Sequence, residues 1–192
     1  MTLLGTLLRN RRAGDARLAW NLPNLAGPEQ LTVTGQDFTE GGPIPLPYAS
    51  RRVGGRDVSP PLAWSPLPAD TVELLLVVED PDVPLARPVV HALALIDPAR
   101  LDTADRLPAD ALSAARPAAG VRVLRSTVGR GYRGPAPIKG HGPHRYTFQL
   151  FALPAAVPGT AESLRRAAPR RLLAALPGPV LARGRITGSY ER

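Results

Sequence analysis

Proline and glycine punctuate this chain so densely that long helices have no room in it. There are 23 prolines and 18 glycines in 192 residues, spread as P-x-P, G-P and P-G pairs without a period. Proline removes a helix hydrogen bond and glycine weakens a helix interior, so this spacing favours short strands joined by shaped loops. The missing period excludes collagen. A hydrophobic share of 44% and a charged share of 21% are those of a globular chain rather than a disordered one. A chain of this length folds as one domain, with or without an extension.

The absence of cysteine removes disulfides, iron–sulfur clusters, thiolate zinc sites and cysteine nucleophiles. The apolar runs Leu74–Val78 and Val89–Ile96 fall well short of the ~20 residues that cross a bilayer. At the start, Met-Thr-Leu-Leu-Gly-Thr-Leu-Leu precedes Arg9, Arg11 and Arg12. A secretory signal has its charges first, so the expected location is the cytoplasm. Net charge is +8, and Lys139 is the lone lysine among 24 basic side chains. The clusters Arg9/Arg11/Arg12, Arg51/Arg52 and Arg165/Arg166/Arg170/Arg171 read either as solvated faces or as an attraction for anions. Nucleic acid is a poor candidate partner, because charge alone supports it and no reading motif or interleaved aromatics accompany that charge.

Residues 1–28 read as an N-terminal arm, with Leu3, Leu4, Leu7 and Leu8 forming a short helical stripe. The arm is either a loose terminus or a packing element through which a homodimer could swap. Residues 29–192 make up the domain. Leu31–Thr34 alternates with period two, while Val72–Val78 and Pro88–Ile96 are apolar on both faces, as in central covered strands. Asp97–Gly120 reads as a connection with one helical turn, and residues 122–128 as a further strand. Arg145–Leu153 is the clearest strand, with Tyr146, Phe148 and Leu150 on one face and Thr147 and Gln149 on the other. Thr160–Leu176 predicts two short helices, with Pro169 opening the second. Arg183–Tyr190 returns to period two. The predicted fold is mainly β, an antiparallel β-sandwich with small peripheral helices.

The chemistry-bearing residues concentrate at the predicted strand ends. Asp80-Pro-Asp-Val-Pro84 sets Asp80 and Asp82 two residues apart, on one side if the backbone is extended. His144 and Tyr146 share the same spacing, and His91 lies among valines and leucines. Taken singly, these are a turn, a core histidine and a loop; together they suggest a pocket. Asp80 could orient His91 by accepting a ring proton. A phosphate would take hydrogen bonds from the Tyr146 hydroxyl, a His144 ring N–H and main-chain N–H groups near Gly134. His141-x-x-His144 with Asp80 or Asp82 is a weaker metal set, because glycine and proline between the histidines give no fixed spacing. No G-x-S-x-G elbow, P-loop or H-E-x-x-H pattern is present. The expectation is therefore a binding protein with no metal or cofactor. The alternative is a small-molecule enzyme using Asp80, His91 and His144 for acid–base chemistry.

Ser59-Pro-Pro-Leu-Ala-Trp64, Asp80-Pro-Asp-Val-Pro84, His91, Gly140-His-Gly-Pro-His-Arg-Tyr146 and Gly188-Ser-Tyr190 resemble, in order, the phosphatidylethanolamine-binding protein family. The similarity is to its bacterial, Raf-kinase-inhibitor-like branch, and covers roughly residues 30–192. The resemblance implies an antiparallel β-sandwich with peripheral helices and a small pocket for phosphate, acetate or a phosphoethanolamine head group; a non-catalytic binding or regulatory protein is expected, with the enzymatic alternative left open. Carried over by position, the pocket would be Asp80, His91, Gly134, Pro135, His144 and Tyr146, with Asp82 bracing the loop through Arg145. Eukaryotic members carry an aromatic just before the first histidine, where this chain has Val89 and Val90.

Overall fold

The structure is a computed structural model, and it describes residues 3–192. Its strands are β1 (Val33–Gly35), β2 (Leu62–Trp64), β3 (Glu73–Asp80), β4 (Val89–Ile96), β5 (Arg106–Leu107), β6 (Val121–Val123), β7 (Arg125–Ser126), β8 (Gly129–Arg130), β9 (His144–Leu153) and β10 (Ala182–Tyr190). The α-helices are α1 (Leu3–Leu8), α2 (Ala161–Arg166) and α3 (Pro169–Ala175). Pro169 is the first residue of α3, as its spacing predicted. Among the described residues no helix is long and apolar enough to cross a membrane.

Five strands form an antiparallel sheet in the order β10-β9-β3-β4-β6, and β1-β2-β5 form a smaller one facing it. The predicted antiparallel sandwich is present. One core lies between the sheets and takes Leu74, Leu76, Val78, Phe148, Leu150 and Ile186 from the large sheet, with Val33, Leu62 and Trp64 from the small one. Side chains one residue out of phase (Leu75, Val77, Phe151, Leu153) build a second core on the outer face. This is why β3, β4 and β9 carry apolar runs rather than alternating ones.

Residues 18–25 of the arm pack into this second core. Leu18, Ala19, Trp20 and Leu25 are buried in it alongside Leu164 and Leu173 of the two C-terminal helices. Their backbone is fixed as well: Ala19 N–H donates to Glu79 and Trp20 N–H to Gln149, both at 2.7 Å. The part of the arm that stands off the core is α1, where Leu3 is 93% and Leu7 80% exposed.

Candidate functional site

Alternation along β3 and β9 sorts the polar residues at one end of the large sheet. Asp80, His144 and Tyr146 lie on the face of the inner core, whereas Glu79, Arg145, Thr147 and Gln149 face outward. His91 would by the same rule share the face of Leu93 and Leu95. A bulge intervenes: Val78 pairs with Ala92 but Glu79 pairs with Val90, so His91 is the extra residue. The bulge re-aims His91 towards Tyr146, whose ring it meets edge-on at 5.1 Å between centroids.

A cavity of about 610 Å³ opens here. Asp80, His91, Gly134, His144 and Tyr146 line it; Asp82 and Pro135 do not. Asp82 departs because Asp80 Oδ1 accepts the Asp82 N–H at 2.8 Å, a turn that swings the second carboxylate off the extended path. Pro135 lies behind the wall, with its carbonyl accepting the Ser50 N–H. The sequence reading missed Arg51, Arg52, Asp57 and Arg133 at the mouth, and the apolar wall of Val83, Pro84, Leu85, Val89, Val128 and Ile138. Arg51/Arg52 had been visible only as a charge pair. Asp57 carried no signal, although its carboxylate takes the Gly134 N–H at 2.9 Å and lies 3.8 Å from Arg133.

The hydrogen bonds correct three expectations. Asp80 holds His144, not His91: His144 Nδ1 is 2.8 Å from Asp80 Oδ2. His91 Nδ1 instead donates to the Arg133 carbonyl at 2.6 Å, leaving Nε2 for the pocket. Burial pushes the His91 ring below its usual value, against the opposing pull of Asp80, so the ring is neutral and Nε2 is an acceptor. The third correction concerns donors. The Gly134 N–H is occupied by Asp57, and His144 Nε2 is 2.7 Å from His141 Nδ1, so neither is free for a ligand. The same contact turns one ring nitrogen of each histidine towards the other. Among the described residues no group of three or more suitable side chains could hold a metal ion.

Tyr146 is the donor that remains. It is buried, and its hydroxyl makes no hydrogen bond of ordinary length among the described residues, although Asp80 and the Ala136 backbone lie near enough to act on it. Burial first, and nearby Asp80 second, push its phenol far above the ordinary value, so it keeps its proton. Ser50 also reaches the cavity, but its Oγ accepts the Arg52 N–H and no histidine holds it as a nucleophile.

Asp82 ties the site together from outside. Arg145 donates to it from its backbone N–H, Nε and Nη2 at 2.8–2.9 Å, and Arg12 Nη1 lies 3.0 Å away. Burial pushes this carboxyl up, but the Arg145 and Arg12 bonds outweigh it and hold the group at about 2. The folded value lies below the unfolded one, so the stabilisation is complete above about pH 4 and is lost as pH falls through about 2. Urea midpoints across that window should show the chain losing about 2 kcal/mol. Asp82→Asn should be weaker at neutral pH and show no such limb; an unchanged acid limb would refute the assignment.

A sequence profile of the phosphatidylethanolamine-binding protein family matches residues 34–191. A UPF0098 protein of Mycobacterium tuberculosis is 33% identical over 92% of this chain and 78% of its own length. The candidate lipoprotein LppC of the same organism is 39% identical over 67% of this chain, a match spanning 58% of LppC. Among solved structures, Escherichia coli YbcL, described as a new member of the mammalian family, superposes with a TM-score of 0.71. It is 27% identical, and the match covers 85% of this chain and 99% of YbcL. With the profile spanning most of the residues and the sandwich shared, the chain belongs to the phosphatidylethanolamine-binding protein family.

Proposed function

We propose that the pocket binds the phosphate or similar oxyanion head of a small amphipathic molecule, without chemistry on it. The observation that carries this reading is the buried Tyr146 hydroxyl on the pocket floor, which makes no hydrogen bond of ordinary length among the described residues. Buried donors are nearly always paired in a folded protein, and one left open at the base of a cavity suits a ligand acceptor. His91 Nε2 and Asp80 beside it offer acceptors for a protonated phosphate oxygen or an ammonium. Arg51, Arg52 and Arg133 at the mouth supply positive charge. The apolar wall from Val83 to Leu85, with Val89, Val128 and Ile138, leaves room for a hydrophobic part of the same molecule.

An NMR titration with inorganic phosphate and with O-phosphoethanolamine tests this. Saturable shifts are expected at Asp80, His91 and Tyr146. Tyr146→Phe should weaken the affinity by about 10–100-fold, the worth of one hydrogen bond to a charged group. Shifts scattered over surface arginines and unchanged in Tyr146→Phe would sink the pocket reading. Turnover of either compound would instead favour acid–base catalysis.

A further inference from the structure

His141 does not line the pocket, yet it is fully buried and both ring nitrogens are engaged. It sits in a turn between Gly140 and Gly142, whose φ values of +85° and +98° are open to glycine at little cost. From there Nε2 reaches the Leu8 carbonyl at 2.8 Å and the Arg11 carbonyl at 3.2 Å, both in the arm. Nδ1 meets His144 Nε2 at 2.7 Å, and His144 Nδ1 meets Asp80 Oδ2 at 2.8 Å. A continuous chain of contacts therefore runs from the arm's backbone to the pocket's carboxylate.

Counting hydrogens along that chain gives a definite answer. A carbonyl only accepts, so His141 Nε2 must carry one. One hydrogen must lie between the two rings, and one between His144 and Asp80. Three are needed, but two neutral imidazoles and an ionised carboxylate supply two. With two, one contact sets lone pair against lone pair. Asp80 Oδ1 accepts the Asp82 N–H, which either form of the carboxyl allows, but an imidazole is the stronger base of the two, and this places the third hydrogen on the rings.

We infer that His141 is a positioning residue for the pocket: together with the docked arm it holds one shared imidazolium against Asp80, so that arm docking and the charge of the pocket are coupled. With the arm in place the relay is neutral overall. With the arm gone His141 loses its acceptor, the third proton is less favoured, and the pocket gains a negative charge that repels an anion. By linkage, an anion in the pocket also holds the arm down. The charged and titratable neighbours are Asp82 with Arg12 and Arg145, His91 on β4, Tyr146 on β9, Asp57 at the mouth and Lys139 next to the turn. Arg12 joins the arm to the same turn, donating to the Pro143 carbonyl at 3.1 Å as well as pairing with Asp82. The coupling to ligand rests on the anion-binding reading above; the proton count does not.

The test uses the full chain with His141→Ala and, separately, Gly5→Val. A Cβ at Gly5 would lie 2.3 Å from the Lys139 carbonyl oxygen and 2.9 Å from the His141 nitrogen. Valine there pushes α1 off the turn without touching a pocket side chain. Long-range proton–nitrogen spectra read the ring nitrogens directly. Three of the four in His141 and His144 should be protonated in the unaltered chain, and the third proton should be lost or depleted in Gly5→Val. Inorganic phosphate should bind about tenfold more weakly to both variants. If His141→Ala does not fold, Gly5→Val carries the test alone. Two protonated nitrogens in the unaltered chain, or unchanged phosphate affinity in a folded Gly5→Val, overturns the inference. If the unaltered chain takes up no phosphate, the anion-binding reading fails and the proton count alone decides the relay.

Discussion

Arg170→Ala is expected to cost the fold about 3–5 kcal/mol, because it strands a carboxylate with no access to water. Glu79 is completely buried on the outer face of β3, one residue from the pocket's Asp80. Burial pushes its carboxyl up, and Arg170 at 2.5 Å is the strongest opposing influence, followed by the Ala19 N–H and Gln149. Arg170 comes from α3 and also donates to the Pro88 and Arg17 carbonyls, so it pins the helix, the start of β4 and the arm to one point. Urea unfolding should show the loss. Adding Glu79→Gln to Arg170→Ala should recover much of it, since the amide oxygen can still accept from Ala19 and Gln149 without a charge. A double variant no more stable than Arg170→Ala alone would mean that the damage lies in lost packing.

Gly134→Ala should abolish phosphate binding, with a loss of more than about 100-fold, the equivalent of nearly 3 kcal/mol. The reason is close approach rather than backbone conformation. A Cβ would lie 2.2 Å from the Tyr48 carbonyl oxygen, 2.4 Å from the Ala49 carbonyl carbon and 2.6 Å from the Ser50 nitrogen. All three are main-chain atoms, so the strip bearing Gly134 has to retreat. That strip gives His91 its acceptor through the Arg133 carbonyl, receives the His91 carbonyl on the Arg133 N–H, and meets Asp57 through the Gly134 N–H. Moving it releases the His91 ring and opens the mouth. Titration of the variant with phosphate, beside its thermal midpoint, separates the two effects. Full affinity in a folded variant would show that this wall does not shape the site.

The strands were legible because burial writes itself into spacing. Val72–Val78 and Arg145–Leu153 declared themselves by apolar content, and Pro169 marked a helix start by its chemistry. Two features escaped. Arg106–Leu107 is a two-residue strand, too short to have a period, and it exists because Leu62 and Ala63 pair with it across the sheet. The packing of residues 18–25 was not legible because their 3-10 turns lack any strand or helix rhythm, while their burial depends on partners as distant as Gln149. In the site, Asp80, His91, His144 and Tyr146 could be gathered from motif and spacing. Their hydrogen-bond partners could not. Whether Asp80 faces His91 or His144 is decided by a one-residue bulge in β4, and whether Asp82 enters the pocket by an Asp80 side chain bonding back to the turn. Neither event changes a residue type or a count, so neither leaves a mark in the sequence.

The packing of residues 18–25 also sets a schedule for synthesis. Trp20 leaves the ribosome long before the strand that receives it. Its N–H waits for Gln149, 129 residues later, and its carbonyl for Arg183, 163 residues later. At about 5–20 residues per second, that apolar stretch stays uncovered for on the order of ten seconds. Local contacts could not shorten the wait, because β3 must also find β9 across some 70 residues before either face of the sheet is closed. The nascent chain therefore offers a holding chaperone a window that a bundle of locally paired helices would not open.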